Sequence, residues 1–306
     1  MYRFVSTLDK IVLNANYKRI YAQVDFQGLW KTEVMHCREL AKTLPRGIHP
    51  EDLLTMSYEE LVDIYNQYKR IYSGLSRPKQ LQMNAAANHV FAYSKYRRAI
   101  SEFLLDKDNG FKIYNCVYCD LMDVRPFSRT KRQFDTEHIL DKGTCPLVGL
   151  SLYNFCPACD TCNTRCKGKK PIGSTPALMK KLSPTSPQYD FENQVRFVLN
   201  AKPEGVGRIK LGHWDWYEVD FNYMDTDYQE VVALFNLKER YNLDQHKQDA
   251  VEWRFKAQKY RGISLRLSAF IHGNTLEQER EEIFQYNARM HAHSEKQKLL
   301  KDMMML

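Results

Sequence analysis

Two Cys-x-x-Cys pairs constrain this chain more than any other feature. CVYC contributes Cys116 and Cys119, and CDTC contributes Cys159 and Cys162. Two thiolates separated by two residues grip one side of a tetrahedral zinc ion, so two such pairs complete a closed structural site. All the cysteines except Cys37 fall between Cys116 and Cys166. The N-terminus intersperses charged and apolar residues and lacks the apolar core of a secretory leader, so the cluster points to metal before disulfides and the expected compartment is the cytoplasm. Cys37 stands alone and reads as a small buried apolar residue. The second pair is open to choice. CPAC makes Cys156 and Cys159 an equally legal pair, and Cys145 and Cys166 lie close by.

The 39 residues from 120 to 158 exceed the usual spacing of a zinc ribbon, so the site needs something folded to fill the gap. FDTEHIL reads as a strand, DKGTCPLVG as a turn-rich loop, LSLYNF as a second strand, and CPACDTCNTRCKGKK as the start of a helix. That order brings Glu137, His138, Asn154 and Asn163 to one end of a hairpin laid against a helix, with zinc clamping the open base. Taken singly these residues say little. A histidine before an apolar residue is usually structural, and a lone asparagine is most often a turn former.

The flanks read differently. Residues 1–110 are expected to be mainly helical: Ser57 and Glu60 make a capping-box spacing ahead of Leu61, Ile64, Tyr65, Tyr68 and Tyr72. A second helix from Asn84 is expected to run unbroken to the DKDNG stop at residues 106–110. Residues 111–175 form the cysteine-rich module. Beyond it, residues 176–306 carry three alternating segments, NQVRFVLN, VGRIKLG and WYEVDFNYM, which suggest a short antiparallel sheet. C-terminal helices follow, and MMML is left as a disordered or partner-binding tail. The fold class expected is therefore α+β. No apolar run approaches the roughly 18 residues of a spanning helix, so no membrane is expected. A net charge of +8 favours a polyanionic partner such as nucleic acid without establishing one.

Together, EH at 137–138, the Asn of LYNF and CDTCN followed by lysines resemble the HNH endonucleases, over residues 113–170. The resemblance implies a ββα-metal module. It selects Cys116, Cys119, Cys159 and Cys162 as the structural zinc ligands, because that choice places Asn163 directly after the second pair. It further implies His138 as the general base and Glu137 and Asn163 as ligands of a catalytic Mg²⁺ or Mn²⁺. Asn154 would hold the loop and orient the base, and Lys167 would contact phosphate with help from Lys169 and Lys170. Two departures are visible: Asn163 stands where the family often has His, and the lysine expected three positions after it is Cys166, with Lys167 one step later. The activity implied is hydrolysis of phosphodiester bonds, DNA favoured and RNA possible. The setting implied is an effector of bacterial anti-phage defence working beside an ATPase or sensing subunit. This chain has no GxxxxGK[ST] loop of its own. The competing expectation is an inactive zinc-stabilised module that binds nucleic acid or protein. Asp135 is expected to be solvated, or to add a metal ligand. Arg129, Lys131 and Arg132 are a basic cluster able to follow a phosphate backbone, and Trp214 and Trp216 are expected to pack a core.

Overall fold

Helix starts and stops in the first half of the chain follow local chemistry. The computed structural model describes residues 1–128, 132–203, 214–260, 263–284 and 296–304. Helices α1 (Lys10–Lys18), α2 (Phe26–His36), α3 (Arg38–Ala41), α4 (Tyr58–Ser73), α5 (Arg77–Val90) and α6 (Tyr93–Leu105) precede the hairpin β1 (Asp135–His138) and β2 (Phe155–Ala158). Ser57 caps α4 in a full capping box with Glu60, and Leu61, Ile64, Tyr65 and Tyr68 bury one face of that helix. Gly110 closes the helical run with φ +70, a conformation that favours glycine.

One expectation fails here. The run from Asn84 is two helices, broken at Phe91 and Ala92. No Gly or Pro marks the break. Phe91 is buried and stacks at 5.8 Å on Phe26 of α2, so tertiary packing overrides good local propensity.

The chain forms two compact units. One comprises residues 2–118 and 124–189, and so holds α1 to α6, the β1–β2 hairpin, a π-helical turn at Thr161–Lys167 and α7 (Pro176–Lys181). Strands β1 and β2 pair antiparallel, with Asp135 opposite Ala158 and His138 opposite Phe155. Both faces of this small sheet are covered, which is why seven of its eight positions are buried. Val117 N donates to Pro157 O, and Val124 N donates to Tyr114 O, so the first knuckle is tied to β2 and closed on itself.

The other unit comprises Met1, residues 119–123 and residues 190–306. Its hairpin pairs β3 (Val195–Ala201) with β4 (Tyr217–Tyr223), after the short α8 (Phe191–Gln194). Val195 and Phe197 alternate with exposed or half-exposed residues, as do Val219 and Phe221, the period-2 pattern of a one-sided sheet. The expected strand at VGRIKLG falls outside the described residues. Helices α9 (Gln229–Leu234), α10 (Leu237–Tyr241), α11 (Asp244–Lys259), α12 (Ile263–His272), α13 (Leu276–Phe284) and α14 (Gln297–Met304) complete the unit. Of the expected MMML tail, Met303 and Met304 belong to α14, with Met303 buried beside Leu299 and Leu300, and residues 305–306 lie outside the described residues. Asp302 of the same helix accepts from Phe197 N at 2.8 Å. Among the described residues no helix is long and apolar enough to cross a membrane.

Candidate functional site

The four cysteines of the two knuckles converge. The Sγ atoms of Cys116, Cys119, Cys159 and Cys162 all lie within 4.8 Å of one another, and all four residues are buried. A tetrahedron with zinc–sulfur bonds of about 2.3 Å has edges of about 3.8 Å, so the cluster has the donor set and the dimensions to hold a metal such as zinc. The alternative pair is not used. Cys156 points elsewhere and donates its thiol to Tyr118 Oη at 3.2 Å, and burial pushes that thiol well above its ordinary pKa. Cys145 is also buried outside the cluster and is pushed up for the same reason.

The cluster sits at the end where β1 begins and β2 ends, since Cys159 directly follows Ala158. Of the residues expected to carry chemistry, Glu137, His138 and Asn154 lie toward the opposite end, whereas Asn163 directly follows Cys162 and meets Asp135 at the start of β1, so the four do not gather at one end as expected. Alternation along β1 places Asp135 and Glu137 on one face and Thr136 and His138 on the other. The first face meets the π-helical turn through two rungs. Asn163 Nδ2 donates to Asp135 Oδ2 at 2.9 Å, and Lys167 Nζ stands 2.7 Å from Glu137 Oε1. Gly168 N donates to Asn163 O at 2.8 Å across five residues, the wide turn that holds Asn163 and Lys167 toward the strand. Asp135 is thus the partner of Asn163, a role its sequence position did not reveal.

Lys167 is turned inward and is 2% exposed. Its ammonium carries three protons and faces three oxygens: Glu137 Oε1, His138 O at 3.0 Å and Gly168 O at 3.4 Å. Glu137 Oε1 is buried, and the Lys167 ammonium at 2.7 Å is its charge partner. Burial raises the Glu137 carboxyl above its ordinary range, and the charge of Lys167 opposes that rise. Lys169 and Lys170, just beyond, are exposed.

His138 looks the other way. Its ring meets Tyr93 edge-on at 4.4 Å and Phe155 at 4.9 Å. Its Nε2 lies 3.1 Å from Gly149 O, and because a carbonyl only accepts, Nε2 carries the proton and Nδ1 keeps the lone pair. Burial, and then the charge of Lys142, hold the imidazole well below its usual pKa, so it is neutral at pH 7. Tyr93 had no signal in the sequence. It comes to His138 because the α5–α6 break starts α6 there, and Lys142 Nζ lies over its ring at 5.0 Å.

Asn154 fastens the loop between the strands. Its Oδ1 accepts from Leu140 N at 2.7 Å, and its Nδ2 donates to Leu140 O at 3.0 Å and Val148 O at 2.9 Å. One fully buried side chain thereby satisfies three backbone groups of the segment that follows His138 and leads to Gly149. Arg132 donates to Ser101 Oγ and Thr136 Oγ1, at 2.9 and 2.7 Å. Arg129 and Lys131 lie outside the described residues.

No protein-family model, curated protein or solved structure matches this chain.

Proposed function

We propose that the chain is a metal-dependent endonuclease of the HNH kind, hydrolysing phosphodiester bonds of DNA or RNA. The observation that carries this reading is the coincidence at one hairpin end of a neutral imidazole with a free Nδ1, an Asn-clamped loop beneath it, and a buried carboxylate on the adjoining strand position. Two-sided burial of acidic and imidazole groups is unfavourable for folding alone, and perturbed groups of this sort concentrate at functional sites.

The donor types are those a hard divalent ion takes: Asp135, Glu137 and Asn163 carry carboxylate and amide oxygens, with the Lys167 ammonium now 2.7 Å from Glu137 Oε1. Glu137 and Asn163 would hold Mg²⁺ or Mn²⁺, which when bound supplies Lewis acidity toward phosphate. His138 Nδ1 would take the proton of the attacking water, while Nε2–H to Gly149 O fixes the tautomer that leaves this nitrogen basic. Asn154 would keep Gly149 and Leu140 in place and so keep His138 oriented. Lys169 and Lys170, both exposed, would meet the phosphate backbone. The four-cysteine cluster would hold zinc and pin the open end of the hairpin. An effector in bacterial anti-phage defence, with an ATPase or sensing subunit as its partner, is the setting that suits this reading.

A second reading draws on burial. His138 is 6% and Glu137 4% exposed, which favours a zinc-stabilised binding module without hydrolysis. The two are separated by incubating zinc-loaded protein with plasmid DNA and with RNA in Mg²⁺ or Mn²⁺, beside His138→Ala. The nuclease reading expects cleavage that needs the divalent ion and falls at least about a hundredfold in the variant, the usual contribution of a general base. Binding by both proteins with cutting by neither would leave only the module.

A further inference from the structure

We infer that Lys167 is a resident counter-ion of the Glu137 seat, a positioning residue whose ammonium a divalent cation must displace before the hairpin end can take metal. This rests on the reading of Glu137 as a metal ligand, and it reassigns Lys167 from phosphate contact to control of the metal seat.

The geometry argues against phosphate contact. A lysine that meets nucleic acid reaches into solvent, as Lys169 and Lys170 do from the same segment. Lys167 is 2% exposed, with its three donors directed at Glu137 Oε1, His138 O and Gly168 O. A cation is therefore already housed among oxygens that lie next to the proposed base. The pairing is a single contact: one ammonium nitrogen meets Glu137 Oε1 at 2.7 Å, without the two-pronged grip of a guanidinium. Such an arrangement keeps an ionised carboxylate tolerable inside the protein, yet does not hold it as firmly as a bidentate pair would.

A divalent ion on Glu137 would stand within a few ångströms of the ammonium, and repulsion between two cations on one carboxylate is strong in a poorly solvated site, which favours departure of the ammonium. The exit for Lys167 is short, because the exposed Gly168, Lys169 and Lys170 follow it directly. Gly168, at φ +52, closes the π-helical turn and gives the segment a hinge in a conformation that favours glycine. Movement of the ammonium also releases His138 O, so occupation of the seat reaches the backbone of the proposed base. A long side chain that swings out on metal binding would then join Lys169 and Lys170 at the surface. Metal loading and the basic face would thus be coupled.

The test uses the zinc-loaded, full-length protein with Mn²⁺ as the probe. Amine acetylation followed by peptide mass spectrometry reads the exposure of Lys167 directly. Lys167 is expected to be unreactive without Mn²⁺ and to become reactive, by at least about tenfold in rate, when Mn²⁺ saturates, with Lys169 and Lys170 reactive in both states as internal controls. Mn²⁺ affinity, followed by electron paramagnetic resonance, is expected to rise by roughly tenfold in Lys167→Met, where the competing charge is gone, and to fall by a similar factor in Glu137→Gln. Lys167 that stays protected while Glu137-dependent Mn²⁺ binds overturns the inference and leaves the nuclease reading standing. Mn²⁺ binding that is absent, or equal in wild type and Glu137→Gln, removes both. Labelling of the wild type needs no variant, so the inference stays testable if Lys167→Met folds poorly.

Discussion

The two ends of the β1–β2 hairpin are built from opposite chemistry. At the open end four sulfurs stand within 4.8 Å of one another, soft donors of a single kind in a sealed interior. At the turn end the groups are mixed: a carboxylate, an ammonium, an amide clamp and a neutral imidazole, joined by backbone carbonyls. The sulfur end has one thing to do, since four thiolates around a metal leave no open position for substrate. The turn end keeps an imidazole nitrogen with its lone pair and a carboxylate paired with one ammonium. On the proposed nuclease reading, fold stability and chemistry fall at opposite ends of strands only four residues long.

Breaking the sulfur end should have the largest effect. Cys116→Ser removes one of four ligands, and because apparent zinc binding energies of roughly 10 to 16 kcal/mol are folding energy in such sites, zinc content and the melting transition should both collapse. Unchanged zinc by elemental analysis together with an unchanged melting curve would remove the distinction between the ends.

An intermediate effect is expected from Asn154→Ala. It strands Leu140 N, Leu140 O and Val148 O in the interior, which at about 1 to 3 kcal/mol for each unsatisfied group amounts to roughly 3 kcal/mol or more. Denaturant unfolding measures the loss, while zinc stoichiometry should stay at the wild-type value. Loss of zinc in this variant would mean that the two ends are not separable.

The smallest effect sharpens the turn end through pH. His138 is held neutral in the fold, so between its lowered folded pKa and the ordinary value of about 6.5 the unfolded chain binds more protons than the native one. Stability therefore rises with pH through that window and is fully present above it. As pH falls from 7.5 to 6, His138 contributes a loss of at most about 1.4 kcal/mol per pH unit. His138→Asn should flatten this part of the profile in thermal melts, and a slope identical to wild type would show that the imidazole is not held neutral.

Much of this architecture was legible because some signals are local. The capping box at Ser57 and Glu60 places α4, and the alternation of Val195 with Phe197 and of Val219 with Phe221 places β3 and β4. The β1–β2 hairpin was legible only in part: FDTEHIL contains β1, but the second strand expected at LSLYNF is a 3-10 turn at Leu152–Asn154, and β2 is Phe155–Ala158, mostly where a helix start was expected, because burial on both faces erases the period-2 pattern. Cysteine spacing left Cys156 and Cys162 as rivals, and geometry separates them through the thiol contact of Cys156 with Tyr118. Tyr93 was hidden because the α5–α6 break depends on the burial of Phe91 rather than on a breaker residue. Lys167 sits in a run of exposed lysines, and only the wide turn closed by Gly168 turns it inward.

The contrast between the ends is tested most directly by crystals of the zinc-loaded protein soaked in Mn²⁺, with anomalous scattering recorded at the zinc and manganese edges. The account predicts a zinc peak among Cys116, Cys119, Cys159 and Cys162 and a separate manganese peak beside Glu137 and Asn163. Manganese that never localises at Glu137, in crystals that retain zinc at the four sulfurs, would contradict it.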